Sequence, residues 1–240
     1  MMNDTWAKAA AVGGLCFIAG SFLMGIYIHR SVDTFKQYER TVTVRGLSEQ
    51  EHAADIVIWP IQFTEASNDL QQIYTSLDEG AEKITGFLID SGLRADEISV
   101  SSPVVTDRSA QRYGSDGSMQ FRYVATHTVT VYSDQIEKVR DIMCNIADLG
   151  RQGITISGDE YSTRTEYLFT RLNDIKPEMI EEATVEARKV AEKFAEDSNS
   201  KLGKIKTASQ GLFTISPRDN NNPHIKKVRV VSTIVYYLTD

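Results

Sequence analysis

Residues 53–90 read AADIVIWPIQFTEASNDLQQIYTSLDEGAEKITGFLID, and this stretch decides the fold. Its first part, Ala53 to Phe63, carries Ile56, Val57, Ile58, Trp59, Ile61 and Phe63. It is apolar on both faces, which predicts a central, buried strand. Pro60 stands against that reading, because proline donates nothing to a ladder and prefers a bulge or an edge. From Asn68 to Asp90 the period changes. Leu70, Ile73, Tyr74, Leu77, Ala81, Ile84, Phe87 and Leu88 recur every three or four residues, which predicts a long amphipathic helix. Asn68 is the expected N-cap and Gly92 the expected stop.

Outward from this core the same logic continues. Thr41–Leu47, Ile98–Thr106 and Gln120–Tyr132 read as strands, with a loop-like Ser109–Ser118 between the last two. Asp134–Leu149 reads as a shorter helix and Ile154–Phe169 as a long strand. Asn173–Leu202 reads as the second long helix, with Pro177 in its first turn and Ile180, Ala183, Ala187, Val190, Ala191 and Phe194 as its apolar stripe. Lys204–Phe213 and Lys226–Leu238 read as closing strands. The order strand, long helix, strand, strand therefore occurs twice, in residues 41–133 and again in 134–240. The expected class is α+β, with helices packed on antiparallel sheet, preceded by one N-terminal transmembrane helix.

That helix comes from Ala9–Ile28, 20 residues without a charge. At about 1.5 Å per residue such a helix spans a bilayer core of about 30 Å. Leu15, Phe17, Ile18, Phe22, Leu23, Ile26 and Tyr27 are its expected membrane-span residues. Ala19-Gly20-Ser21 suits a cleaved secretory signal, but the apolar run continues to Ile28, so an uncleaved signal anchor over residues 1–30 fits better. Leu15 is too large for the residue before a lipid-modified cysteine, so Cys16 reads as an ordinary membrane residue. Residues 31–40 form a polar connector and 41–240 the folded domain. Arg30, Lys36 and Arg40 follow the span and Lys8 precedes it, a count that favours a cytoplasmic C-terminal domain. Long domains, however, cross largely regardless of charge.

The 240 residues include 26 Lys+Arg and 33 Asp+Glu, a net charge of −7. The first 40 hold four of the basic and three of the acidic residues, leaving −8 for residues 41–240. Such a surface argues against nucleic acid as a partner. Cys16 and Cys144 are the only two cysteines, too few for a disulfide scaffold or a cysteine-rich zinc site.

The sequence resembles the SIMPL domain family over residues 41–239. Val44-x-Gly46 is similar to the family's opening V-x-G. Ala54-Asp55-x-Val57 stands where members carry Pro-Asp-x-Ala, without the proline. Leu93 with Asp96-Glu97-Ile98 and Ser99 resembles a Gly-Ile-x-x-x-Asp-Ile-x-Thr segment. Ala183, Ala187, Ala191 and Ala195, followed by Leu202-Gly203-Lys204-Ile205, look like the alanine-rich helix and its exit. The resemblance implies a bacterial envelope protein, in some members linked to oxidative-stress defence, that self-assembles into ring-like or channel-like homo-oligomers. It implies no established reaction, and it places the C-terminal domain in the periplasm, anchored in the inner membrane. A cytoplasmic domain, or a cleaved signal with a soluble periplasmic product, are the alternatives.

The chain has no P-loop, H-E-x-x-H, C-x-x-C or G-x-S-x-G motif. His127 reads as a packed strand residue and Trp59 as core. Cys144 reads as a buried inert thiol rather than a redox sensor. Asp96-Glu97 and Asp159-Glu160 read as solvated turns or edges, Asp55 as a turn or strand-start residue, and Lys226-Lys227 with Arg229 as edge-strand protection. No catalytic, metal or cofactor site is expected. The expectation is a membrane-anchored, non-enzymatic protein whose partners are its own copies and the bilayer. A periplasmic ligand-binding or sensory domain, with a pocket closed by Ser109–Ser118, is the alternative. A thiol-dependent stress enzyme using Cys144 is the second.

Overall fold

The computed structural model describes residues 13–14, 17–18, 20–30, 40–110, 120–157 and 164–239. Among the described residues from Thr41 onward the strands and α-helices run in the order β1 (Thr41–Ala53), β2 (Ile56–Ser67), α1 (Leu70–Asp90), β3 (Ile98–Val100), β4 (Val104–Asp107), β5 (Tyr123–Ser133), α2 (Ile136–Cys144), α3 (Ala147–Arg151), β6 (Ile156–Ser157), β7 (Glu166–Leu168), α4 (Leu172–Asp197), β8 (Lys201–Gln210), β9 (Thr214–Pro217) and β10 (Ile225–Thr239). Helix and antiparallel sheet are mixed, so the α+β class holds. The chain gathers into two compact units that interleave along the sequence. One comprises Met1–Glu49, Lys176–Phe213 and Arg229–Asp240, the other Gln50–Ile175 and Thr214–Val228.

In the unit built on Gln50–Ile175, β2 and β5 form an antiparallel spine. It runs in register from Val57 opposite Ser133 to Ser67 opposite Tyr123. β3 and β4 extend it beyond β5, and β6 and β7 beyond β2. Val57, Trp59, Ile61 and Phe63 of β2 and Ala125, Val129 and Val131 of β5 are buried on one face. They form a single core with Ile73, Leu77, Ala81, Ile84 and Leu88 of α1. The expected stripe and the expected central strand thus meet each other. Gly80 sets their spacing, since a β-carbon there would lie 2.6 Å from the Phe63 ring.

Pro60 sits in this central strand without penalty. Thr64 donates its N–H to Thr155 O at 3.2 Å, and alternate residues of a strand point their N–H groups to the same edge. Pro60 therefore directs its nitrogen toward the edge that β6 and β7 share. β7 pairs with Ile56–Ile58 and β6 with Gln62–Phe63, so the proline falls in the gap between them. The same gap corrects the single strand expected over 154–169. Among the described residues of that stretch, Ile156–Ser157 and Glu166–Leu168 pair with β2, as β6 and β7, and residues 158–163 lie outside the described set.

In the other unit the strand order is β1-β10-β8. Val44, Ile234 and Tyr236 pack with Ala187 and Ala191 of α4. Ala183 and Ala195 continue that buried stripe, whereas Val190 and Phe194 are exposed, so the face is narrower and smaller than expected.

Several boundaries differ from expectation. The single strand expected over 98–106 is two, β3 and β4, β1 runs on to Ala53, and β8 covers Lys201–Gln210 rather than 204–213. The N-cap of α1 is Asp69, whose carboxylate accepts from Gln71 N at 2.8 Å and Gln72 N at 3.3 Å. Asn68 instead bridges to Gln120 O and Arg122 N. Helix α4 starts at Leu172, which puts Pro177 inside the helix beyond its first turn, and it stops at Asp197 rather than 202. Asn199 adopts φ 51°, while Asn199 N bonds Glu196 O and Ser200 N bonds Ala195 O. That paired closure usually falls to glycine, and an asparagine in its place hid the stop. The expected helix 134–149 is two shorter ones, α2 and α3.

At the N-terminus, residues 20–30 are helical, and Phe17, Ile18, Phe22, Leu23, Ile26 and Tyr27 are exposed. Leu15 and Cys16 lie outside the described residues. Among the described residues no helix is long and apolar enough to cross a membrane.

Candidate functional site

Strand β8 ends its sheet. It bonds to β10 from Ser232 opposite Gln210 to Thr239 opposite Lys201, with irregularities on either side of Tyr236. Among the described residues no strand pairs with its other edge. Residues 204–212 are exposed throughout, and Leu212 is 91% exposed. An open edge offers unpaired N–H and C=O groups to another chain, and lysines are the usual deterrent. Lys201, Lys204 and Lys206 protect the first half of β8. Thr207–Phe213 (TASQGLF) has no charge. This edge is what sequence periodicity could not reveal, because edge or centre depends on pairing partners.

The unit built on Gln50–Ile175 carries most of the chemistry-bearing side chains. Two hollows lie in it. The first, about 310 Å³, is lined by residues that include Arg164, Glu166, Tyr167, Pro217, Pro223 and Lys226. The second, about 410 Å³, is lined by Ala53, Ala54, His224 and residues 134–138. The Tyr167 and His224 rings meet edge-on at 6.0 Å. Burial raises the Tyr167 hydroxyl and lowers the His224 imidazole from their ordinary ranges. Burial also lowers Lys226, with Glu166 opposing and Arg164 adding to the effect.

Lys226 is 7% exposed and belongs to β10, which lies between β1 and β8. Edge protection is therefore the wrong reading of this lysine. Its strand alternation pointed inward, and its charge masked that.

Glu97 also departs from expectation. It is 3% exposed rather than solvated. It accepts from Ser133 Oγ at 2.6 Å, Arg94 N at 2.7 Å and Gln135 Nε2 at 3.2 Å, and Arg94 adds an ion pair at 3.4 Å. Burial works against ionisation here, but these bonds outweigh it and hold the carboxyl below its usual range. Its neighbour Asp96 is exposed and paired with Arg94, so the two carboxylates do not converge. Asp159 and Glu160 lie outside the described residues.

Asp55, at the turn between β1 and β2, is a fastener. It accepts from Thr170 N at 2.9 and 3.0 Å, Thr170 Oγ1 at 2.9 Å and Arg171 Nε at 3.3 Å. His127 is buried as expected. Its Nε2 meets Ser101 O at 2.7 Å and its ring lies 5.5 Å from that of Phe63. Trp59 is core. Cys144 corrects its expectation: the thiol is free and exposed at the end of α2. Residues 111–118 of the loop expected to close a pocket lie outside the described set. Among the described residues no three His, Cys, Asp or Glu side chains are grouped to hold a metal ion.

A family model described as SIMPL, protein of unknown function (DUF541), matches residues 42–231. No curated protein matches the chain. The matched span runs from β1 into β10 and takes in the Val44-x-Gly46 start, Asp55 and the alanine stripe of α4. The chain belongs to the SIMPL family.

Proposed function

We propose that this chain is a membrane-anchored, non-enzymatic envelope protein that assembles with copies of itself into a ring-like or channel-like oligomer. The observation that carries the reading is the open edge of β8. Ten residues of strand end the sheet, and the stretch from Thr207 to Phe213 lacks the charges that normally prevent pairing. A heterologous contact of one edge with a different surface closes into a ring when its rotation closes. Exposed Val190 and Phe194 on α4 of the same unit add apolar area for such contacts. The uncharged run Ala9–Ile28 supports the anchor. The periplasmic placement and any stress-defence role rest on family likeness alone.

The test is the mass of the purified full chain in detergent, by size exclusion with light scattering. The expected mass is that of several chains, falling to one chain in Ala208→Lys, which restores the edge charge. A monomeric wild type at micromolar concentration overturns the reading. A reporter fused after Asp240 and active outside the inner membrane is the expected result for placement.

A further inference from the structure

We propose that copies of this chain join edge to edge, with β8 of one copy pairing in parallel with β1 of the next, so that their sheets become one. This rests on the assembly reading and deepens it by naming the surface that receives β8. The sheet runs β1-β10-β8, so β1 and β8 are its two ends. Among the described residues no strand pairs with the outer edge of either. β8 is antiparallel to β10. So is β1, since the Leu238 N–H donates to Arg40 O at 2.9 Å and the Ala54 N–H donates to His224 O at 2.8 Å, at opposite ends of both strands. β1 and β8 therefore point the same way. Closing a ring by rotation brings the β1 end of one sheet to the β8 end of the next without reversing strand direction, so the seam is parallel.

Charge and register select these two edges. Lys201, Lys204 and Lys206 lie in the first half of β8, and its register shifts against β10 fall there too, between Thr207 and Leu202. Lysines and bulges are both deterrents to pairing. From Thr207 to Gln210 the register with Val235–Ser232 is unbroken, and the Gly211 N–H donates on to Val231 O at 2.8 Å. The part of β8 fit to take a new strand is therefore its uncharged part. Thr41–Glu49 of β1 has no lysine and no proline, its Arg45 is balanced by Glu49, and Thr41–Val44 are all β-branched. A second β8 is a poorer match. Lys201–Phe213 holds three lysines and no acid. An antiparallel β8 pair sets lysine against lysine unless it slips onto Thr207–Phe213, and like charges across strands destabilise. Such a pair also closes on itself as a dimer, whereas β8 on β1 leaves each copy an end for the next.

The experiment is cysteine cross-linking of the full chain in detergent, in a Cys16→Ser, Cys144→Ser background, with a short bismaleimide and a denaturing gel. Thr41, Thr43, Arg45 and Leu47 stand on the face of β1 away from buried Val44, Gly46 and Ser48. Thr207 and Ser209 stand on the same face of the sheet, opposite Val235 and Thr233. Each of the four β1 positions is changed to cysteine together with Ser209→Cys in one chain. At least one combination is expected to give a ladder of multimers, while every single-cysteine variant stays at the mass of one chain. Moving the second cysteine from Ser209 to Thr207 is expected to move the best β1 partner toward Thr41, as parallel strands require. A dimer band from Ser209→Cys alone, or from a β1 cysteine alone, overturns the proposal in favour of like edges pairing. A best partner that moves the other way overturns it too. So does the absence of a ladder from chains that light scattering shows to be assembled, and in these cases the assembly reading stands. A monomeric wild type removes that reading and this inference together.

Discussion

A β-carbon placed on Gly46 would lie 1.8 Å from the carbonyl oxygen of Ala183. The backbone of β1 therefore runs against the backbone of α4 with no side chain between them. Ala187 N would be 2.6 Å from the same carbon, and Ala183, Ala187, Ala191 and Ala195 are all buried along this face. Two residues along the strand, Ser48 Oγ donates to Glu182 Oε2 at 2.6 Å. The V-x-G start and the alanine ladder, 137 residues apart from Gly46 to Ala183, are thus two halves of one contact. Small residues let helix and strand approach, and the approach leaves no room for anything larger.

Gly46→Val is expected to destabilise the chain by about 3 kcal/mol, at the upper end for overpacking, because the clash is with backbone and no rotamer escapes it. Urea unfolding followed by circular dichroism measures the change. A variant within 0.5 kcal/mol of wild type (an order-of-magnitude threshold, typical of surface substitutions) would show that the helix can move away freely.

Glu97→Gln tests the buried carboxylate. The amide replaces an acceptor that holds Ser133, Gln135 and the Arg94 N–H, and the expected loss at pH 7 is about 2 kcal/mol. The sign with pH follows from the lowered folded value. Stability from Glu97 is fully present above the ordinary carboxylate range of about 4 and is lost as pH falls through the depressed value. Asp219 behaves in the same direction, with Arg218 as the main cause, down to about 2. The gap between wild type and Glu97→Gln should therefore shrink in urea melts at pH 3 relative to pH 7. An unchanged gap would exclude ionisation as the source.

The elements were largely legible because this fold alternates cleanly. β2, α1, β5 and β10 follow two-residue or three-to-four-residue periods, and their buried faces match those periods. What was not legible is long-range. Nothing local says that β10 joins β1 on one side and β8 on the other, so Lys226 looked like an edge residue and β8 looked like any other strand. Asn199 hid a helix end because it took a conformation normally assigned to glycine. Glu97 looked solvated because its partners Ser133 and Gln135 lie more than thirty residues away.

Asp55→Ala removes four contacts at once, two from the Thr170 N–H and one each from the Thr170 hydroxyl and Arg171. The acceptor ties the segment after β7 to the turn before β2, and its loss is expected to cost about 2 kcal/mol. Asp55→Asn keeps one oxygen acceptor and should lose roughly half as much. Hydrogen exchange at the Thr170 amide is the local readout, and it is expected to quicken in both variants. Protection equal to wild type in Asp55→Ala would mean that other contacts hold this turn.

Cys144 ends α2 with its thiol exposed, so reagent should reach it without unfolding. In a Cys16→Ser background, maleimide labelling of the native chain is expected to go to completion at one thiol. Its rate should match that in urea to within about threefold, since no opening step precedes reaction, whereas a buried thiol must wait for local or global opening. Cys144→Ser is expected to leave stability within about 0.5 kcal/mol, as at other surface positions. Labelling that requires denaturant would return this thiol to the core, and a melting loss of several degrees in Cys144→Ser would do the same by an independent route.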